Sequence, residues 1–181
     1  HLGGGSEREF ARKMTRKAKS LGMSRTIFRN ASGLPHSSQY STARDMARLG
    51  MAVRRDFLQY FHYFSRTQFN WNGRKFKNHN RLLKTFQGTD GIKTGYTNAA
   101  GFNLVASAQR NQERVIVTVF GGKSTKTRNA QVAKLRVDTR RWLASKQAPD
   151  EYGDKQQPLV NIDLGSMALD ALRKRSVTIE D

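Results

Sequence analysis

Three apolar segments follow one another closely between residues 91 and 120, and they restrict the fold more than any other feature of the sequence. They predict strands over 91–96, 102–108 and 114–120, with a hairpin turn at 109–113 joining the last two. The third segment is apolar on both faces, which is typical of a strand covered on both sides. We therefore expect a sheet with that strand near its centre.

Helices are predicted before and after these strands. Ser6 and Glu9 have the spacing of a capping box, and so do Thr42 and Asp45, which precede a helical pattern running to about residue 56. After the strands, a helix over 125–144 is expected to lie across the sheet. One face of that helix carries Val132, Leu135, Thr139 and Trp142.

Residues 61–76 interleave aromatic and β-branched side chains with polar ones, and Asn72-Gly73 lies between the two halves. This pattern predicts a two-stranded ribbon. Aromatic rings among Arg and Lys could stack on nucleic-acid bases, but strands with one buried face have the same composition. We favour the interpretation with a buried face.

The charge is large and unevenly distributed. The chain has 181 residues with 33 Lys and Arg against 14 Asp and Glu, a net charge of +19. Residues 1–148 hold 29 basic and 7 acidic side chains (+22), whereas 149–181 hold 4 and 7 (−3). We expect one domain over 1–148 and a linker or flexible tail over 149–181. The basic body favours a polyanionic partner, whether nucleic acid, anionic lipid or cell-wall polymer.

Composition excludes several classes of protein and site. No apolar run approaches the ~20 residues that span a bilayer, and residues 1–6 show no secretory signal. Without cysteine the chain has no disulfide, thiolate zinc site or thiol nucleophile, and the redox compartment stays open. His79 has no second histidine or carboxylate at metal-ligand spacing nearby, so we expect no metal site.

The sequence DGIKTGYT at residues 90–97 carries the candidate chemistry. On a strand edge, backbone donors and acceptors can pair with an extended peptide, and Gly95 removes a side chain that would block its approach. Lys93 supplies a positive charge and Thr94 a hydroxyl, both suited to a carboxylate. This pattern predicts a site for the anionic end of a peptide. An exposed strand with an incidental lysine is the alternative.

These residues resemble those of the low-molecular-mass penicillin-binding proteins, the serine D-alanyl-D-alanine carboxypeptidases, which combine a Lys-Thr-Gly element with Ser-x-x-Lys and Ser-x-Asn elements. The resemblance extends from about residue 6 to 143. It includes YSTARDMA at 40–47, NHNRLL at 78–83 and Gly121-Gly122-Lys123 before Arg128. It implies an α+β, β-lactamase/transpeptidase-like fold in which helices flank an antiparallel sheet.

The sequence also departs from the family pattern. Neither Ser-x-x-Lys nor Ser-x-Asn occurs anywhere in the 181 residues, so this chain contains no nucleophile of the family type. We expect that the N-terminal portion of the domain is missing and that the chain alone is inactive. We also expect apolar faces such as those of Val115, Val117 and Val119 to be short of partners.

The resemblance implies a role for each residue of the candidate site. Lys93 would tune the electrostatics and Thr94 would bind the substrate's terminal carboxylate, while Gly95 would allow the backbone to approach. The amide of Tyr96 would supply one oxyanion donor, and Arg128 a second charge for the carboxylate. We therefore assign Lys93 and Tyr96 as catalytic and Thr94, Gly95 and Arg128 as substrate-binding.

The function implied is that of a serine D-alanyl-D-alanine carboxypeptidase, which removes the terminal D-alanine from peptidoglycan stem peptides through an acyl-enzyme. The expected partners are stem peptides ending in D-Ala-D-Ala, with β-lactams as inhibitors of the complete domain. We expect no cofactor and no nucleic-acid partner. The expected location is the bacterial periplasm or the cell wall, where the protein could make peripheral contact with membrane or wall. The alternatives are a non-catalytic penicillin-binding-like domain that holds wall peptides and a basic nucleic-acid-binding module.

Overall fold

A computed structural model describes residues 5–110, 113–146 and 160–162. The elements in chain order are α1 (Glu7–Ser20), α2 (Ala43–Asp56), a 3-10 helix (Leu58–Ser65), β1 (Gln68–Trp71), β2 (Arg74–Lys77), α3 (Leu82–Thr85), β3 (Thr89–Thr97), β4 (Gly101–Arg110), β5 (Glu113–Gly122), α4 (Thr125–Lys146) and β6 (Val160–Ile162). Within these ranges no helix has the length and hydrophobicity needed to cross a bilayer.

The three strands expected from the sequence form the main sheet. Its order is β3-β4-β5-β6, with β3, β4 and β5 antiparallel and β6 parallel to β5. The predicted central position of residues 114–120 is therefore confirmed, because β5 has neighbours on both edges. β6 falls within 149–181, the segment expected to be a linker or tail, and the rest of that segment lies outside the described residues.

Helices cover both faces of this sheet. On one face, Val132 and Leu135 of α4 pack with Leu104, Val117 and Val119 in the hydrophobic core. The expectation that Val115, Val117 and Val119 are short of partners is therefore wrong, since Val117 and Val119 are only 3% and 0% exposed and Val115 packs, partly buried, against the same core. The described side chains do not include Thr139 and Trp142.

The other face of the sheet packs against α2, and a glycine permits the close approach. A Cβ added at Gly50 would lie 3.1–3.3 Å from side-chain atoms of Ile92, Val105 and Ile116. Contacts tighter than about 3.4 Å are rare for real Cβ atoms, so these facing side chains would have to shift by a few tenths of an ångström to admit a larger residue. The expected α+β architecture, an antiparallel sheet with flanking helices, is confirmed.

The two predicted capping boxes differ in the structure. At α1 both hydrogen bonds form, with the Glu9 amide donating to Ser6 Oγ and the Ser6 amide to Glu9 Oε2. At α2 the Asp45 amide donates to Thr42 Oγ1, but the Asp45 carboxylate does not return the bond. Its Oδ2 instead accepts from the Arg25 amide at 2.8 Å and the Thr26 hydroxyl at 2.7 Å.

Replacing Asp45 by alanine is expected to destabilise the domain strongly. The side chain is 2% exposed, and its loss leaves the hydroxyl of Thr26, itself fully buried, without its carboxylate partner. We expect the free energy of unfolding to fall by about 2–4 kcal/mol in urea titrations. Asp56→Ala is the control, because that carboxylate pairs with Arg55 at the surface. Equal effects of the two substitutions would contradict this assignment.

The prediction of a ribbon over 61–76 is wrong for residues 61–65 and confirmed for the two strands on either side of Asn72-Gly73. Leu58–Ser65 forms the 3-10 helix, and only β1 and β2 pair, joined at Asn72 and Gly73, whose φ values are 47° and 71°. The expected buried face is also absent from this hairpin, since every residue of both strands is exposed. Two short strands alone bury little surface, so burial depends on another element packing on them.

Candidate active-site cleft

A cleft of about 1490 Å³ brings together all five residues singled out in the sequence. Its walls come from β3, the loop before α2, α3 and the beginning of α4. Lys93, Thr94, Gly95, Tyr96 and Arg128 all line it. The sequence therefore identified one continuous surface, and the roles assigned to the individual residues stay predictions.

β3 presents one free edge to this cleft. It pairs with β4 on one side, with Gly95 opposite Asn103, and with no other strand among the described residues. A Cβ at Gly95 would meet no atom within 4 Å, so packing does not explain the glycine. The space that it leaves at the strand edge is available to a ligand backbone.

The side chains of Lys93 and Tyr96 are both exposed at the cleft. The Lys93 ammonium donates to the carbonyl oxygen of Thr94. The Tyr96 hydroxyl donates to Asn98 Oδ1 at 3.0 Å, and its ring lies 4.5 Å from the ring of Phe102. These contacts fix the position of the tyrosine ring. The role expected from the family resemblance is a different one, that of oxyanion donor, and it involves the backbone amide of Tyr96.

Arg128 is a buried cation at the start of α4. It is 2% exposed, yet no carboxylate within the described residues lies within 4 Å of it. Its Nη1 donates to the Asn103 carbonyl at 3.2 Å, and Nε and Nη2 donate to Asn129 Oδ1. Burial lowers the pKa of Arg128, but a guanidinium stays protonated at neutral pH. A buried charge with only neutral acceptors is suited to an incoming anion.

The glycine pair before Arg128 permits its position. A Cβ at Gly122 would lie 2.9 Å from Arg128 Cβ, so a larger residue there would displace the arginine. Asn103 organises the same corner, since its Oδ1 accepts from the Gly121 amide at 2.9 Å while its carbonyl accepts from Arg128. Sequence reasoning missed Asn103 as a positioning residue, although it lies on a predicted strand.

Asn80 fixes the wall of the cleft below β3, and its importance was also missed. The residue is 3% exposed, and its Nδ2 donates to the Gly91 carbonyl at 3.0 Å, while its Oδ1 accepts from the Leu82 amide. These bonds tie the beginning of α3 to β3 two residues before Lys93. Its signal in the sequence was its place in NHNRLL at 78–83, a segment of the family resemblance to which no role was assigned.

The described residues that line the cleft carry only positive charge. They include five Lys and Arg side chains and no Asp or Glu: Lys77, Arg81, Lys84, Lys93 and Arg128. Two serines, Ser32 and Ser37, also line it, but neither has a lysine or histidine as a hydrogen-bond partner within the described part of the chain. No group of three His, Asp or Glu suited to a metal ion occurs among the described residues. The cleft can therefore bind an anion, and it lacks an activated nucleophile of its own.

Comparison with known proteins agrees with this geometry. Residues 1–124 match the sequence model of the D-alanyl-D-alanine carboxypeptidase family. The D-alanyl-D-alanine carboxypeptidase DacF of Bacillus subtilis is 42% identical over 139 residues, which cover 72% of this chain and 35% of that protein. A second family model, for phage Sf6 terminase small subunit-like proteins, matches only residues 97–158.

Solved structures give the same result. The carboxypeptidase DacD of Francisella tularensis superposes with a TM-score of 0.71 at 30% identity, covering 73% of this chain and 45% of that one. Penicillin-binding protein D2 of Listeria monocytogenes, in its cefotaxime-bound form, has a TM-score of 0.66 at 32% identity and covers 71% and 53%.

The chain spans between a third and a half of the length of the curated relatives that it matches. The resemblance drawn from the Lys-Thr-Gly strand is confirmed, because the match to the family model covers more than half of the chain. The chain belongs to the S11 peptidase family, the serine-type D-alanyl-D-alanine carboxypeptidases.

Proposed function

We propose that the protein to which this chain belongs removes the terminal D-alanine from peptidoglycan stem peptides. The observation that carries the proposal is that one cleft is lined by both Thr94 and Arg128, a buried cation with no ion-pair partner among the described residues, beside the edge of β3 opposite β4. A peptide that lies along that edge would place its terminal carboxylate between a hydroxyl and a guanidinium. Each of those groups forms a charge-assisted hydrogen bond with a carboxylate.

In the reaction, a serine hydroxyl attacks the carbonyl of the penultimate D-alanine. A C–O bond forms, and the lysine of the Ser-x-x-Lys element takes the serine proton. The C–N bond then breaks, and D-alanine leaves with a proton on its nitrogen, after which water hydrolyses the ester. The Tyr96 amide would stabilise the oxyanion, and Lys93 would lower the energy of the negative charge in the cleft. This chain contains neither that serine nor its lysine, since no Ser-x-x-Lys occurs in its sequence.

The proposal extends to inhibitors and location. β-lactams carry a carboxylate beside a reactive amide, so the complete domain is expected to bind them at Thr94 and Arg128 as substrate mimics. A peptidoglycan substrate implies a location in the bacterial periplasm or at the cell wall. A non-catalytic domain that holds wall peptides is the second candidate, and it is favoured by the same cleft because binding requires no nucleophile.

Binding of a short peptide tests the carboxylate site directly. An N-acylated D-Ala-D-Ala peptide is expected to shift the backbone amide resonances of residues 93–97, and its C-terminal amide is expected to bind at least tenfold more weakly. The reason is that the amide lacks the charge that Thr94 and Arg128 recognise. Equal affinity for the peptide acid and the peptide amide would contradict recognition of the terminal carboxylate by this cleft.

A salt titration separates this function from nucleic-acid binding. Diffuse attraction by the basic body should bind duplex and single-stranded nucleic acid weakly, and it should fall steeply between 50 and 200 mM salt. We expect no preference between nucleic-acid sequences at either salt concentration. Sequence-selective affinity retained at 200 mM salt would instead support the basic nucleic-acid-binding alternative.

A further inference from the structure

The hairpin formed by β1, β2 and their turn, here the aromatic hairpin, displays rings on one face. Phe69 pairs with Phe76 across the strands, and Trp71 pairs with Arg74. Cross-strand partners and residues two apart share a face, so these four side chains lie together. The three rings are 56% (Phe69), 67% (Trp71) and 50% (Phe76) exposed. Such a cluster of exposed rings marks an interaction surface.

Two of the exposed rings have nearly parallel planes. Those of Phe69 and Trp71 lie within 15° of parallel, with centroids 6.3 Å apart. The exposed face of an aromatic ring fits a flat apolar partner, such as the C–H face of a sugar ring, whose hydrogens carry partial positive charge and pack against the negative π face. The hydroxyls of the sugar stay at the rim, in contact with water. The opposite face of the hairpin carries the amides of Gln68 and Asn70.

Hydrogen bonds join the aromatic hairpin to the proposed active-site cleft. Asn78 closes the base of the hairpin, its amide donating to the Thr67 carbonyl at 2.9 Å and its Nδ2 to the Arg66 carbonyl at 2.9 Å. Its Oδ1 accepts from the amide of Asn80, the residue that bonds to Gly91 of β3. Thr67, Lys77 and Asn78 also line the cleft. The base of the hairpin that carries the rings therefore adjoins the cleft.

The positive charge around the hairpin favours anionic ligands. Residues 57–89 contain no Asp or Glu and six basic residues: Arg66, Arg74, Lys75, Lys77, Arg81 and Lys84. None of these six forms an ion pair within the described residues. A polymer that combines sugar rings with carboxylates matches both the rings and the charge.

We propose that the aromatic hairpin binds the glycan of a carboxylate-bearing polysaccharide and presents the attached peptide to the cleft. This inference rests on the proposed function for the peptide, and it adds that the glycan-linked polymer, rather than a free peptide, is the preferred ligand. Phe69 and Trp71 provide the stacking surface, and Arg74 holds a neighbouring carboxylate.

The test uses cell-wall glycan from which the stem peptides have been removed, so that the cleft has no ligand. The protein should sediment with this insoluble glycan. The double substitution Phe69→Ala and Trp71→Ala should weaken that binding by about tenfold or more. Leu58→Ala with Tyr60→Ala is the matched control, since it removes two similarly exposed apolar side chains from the 3-10 helix and should leave glycan binding within about twofold.

Three outcomes would overturn the inference. One is glycan binding that the Phe69/Trp71 double variant retains. The second is binding to phosphatidylglycerol vesicles in place of glycan, which would identify the hairpin as a membrane contact. The third is a lower melting temperature of the double variant, which would mean that protein covers the rings. Binding of the D-Ala-D-Ala peptide is measured in parallel, and its loss alone would count against the proposed function and not against the glycan surface.

Discussion

In a form of the protein that includes the Ser-x-x-Lys element, replacing Arg128 by alanine is expected to lower kcat/KM for D-Ala-D-Ala peptides roughly 10- to 150-fold. This factor corresponds to a loss of about 1.5–3 kcal/mol of transition-state stabilisation. The guanidinium is buried, and its acceptors among the described residues are neutral: the Asn103 carbonyl and the Asn129 amide oxygen. A substrate carboxylate would be its only charged partner among the groups described. Its removal therefore takes away one charge-assisted interaction with the peptide end.

Two controls separate this effect from a loss of folding. Lys126→Ala removes an exposed cation two residues earlier and is expected to leave kcat/KM within about twofold. Arg128→Lys keeps the charge but not the bidentate geometry, so it should recover part of the loss. An unchanged kcat/KM in Arg128→Ala, with an unchanged melting temperature, would remove Arg128 from the site.

The sheet and the cleft could be predicted because their signals are local or repeated. β3, β4 and β5 are visible as apolar strands, and α1 begins at a complete capping box. The five residues of the candidate site lie within two short segments, one on β3 and one at the start of α4. An edge strand and a helix beginning immediately after the sheet bring such segments together, so sequence alone located one cleft.

The errors share a physical cause, which is that long-range partners override local patterns. Asp45 has the spacing of a capping-box acid, but the buried hydroxyl of Thr26, 19 residues away in sequence, binds its carboxylate instead. Residues 61–65 mix aromatic and polar side chains and were assigned to the ribbon, yet they belong to a 3-10 helix whose Phe61 packs beneath Arg114. Val117 and Val119 were expected to lack partners because the N-terminal portion of the domain was expected to be missing, yet α4, which this chain contains, packs over both of them.

Covalent reaction with penicillin is expected to be all or none, because it depends on whether the nucleophilic serine is present. Acylation needs a serine hydroxyl with a basic lysine one turn later, and the 181 residues contain no Ser-x-x-Lys. The lysines and arginines of the cleft attract the drug's carboxylate, but attraction without a nucleophile forms no covalent bond. The chain alone should therefore stay unmodified, even where it binds the drug reversibly.

Intact-mass spectrometry after incubation with penicillin is the most direct test of the claim that this chain forms the carboxylate-binding wall of a serine carboxypeptidase. The 181-residue chain is compared with a polypeptide extended upstream through a Ser-x-x-Lys element. We predict no added mass on the former and one penicilloyl group, located on the new serine, on the latter. Reduced labelling of the extended polypeptide is expected when Thr94 or Arg128 is replaced. A stoichiometric adduct on the short chain, or none on a folded extended polypeptide, would contradict the claim.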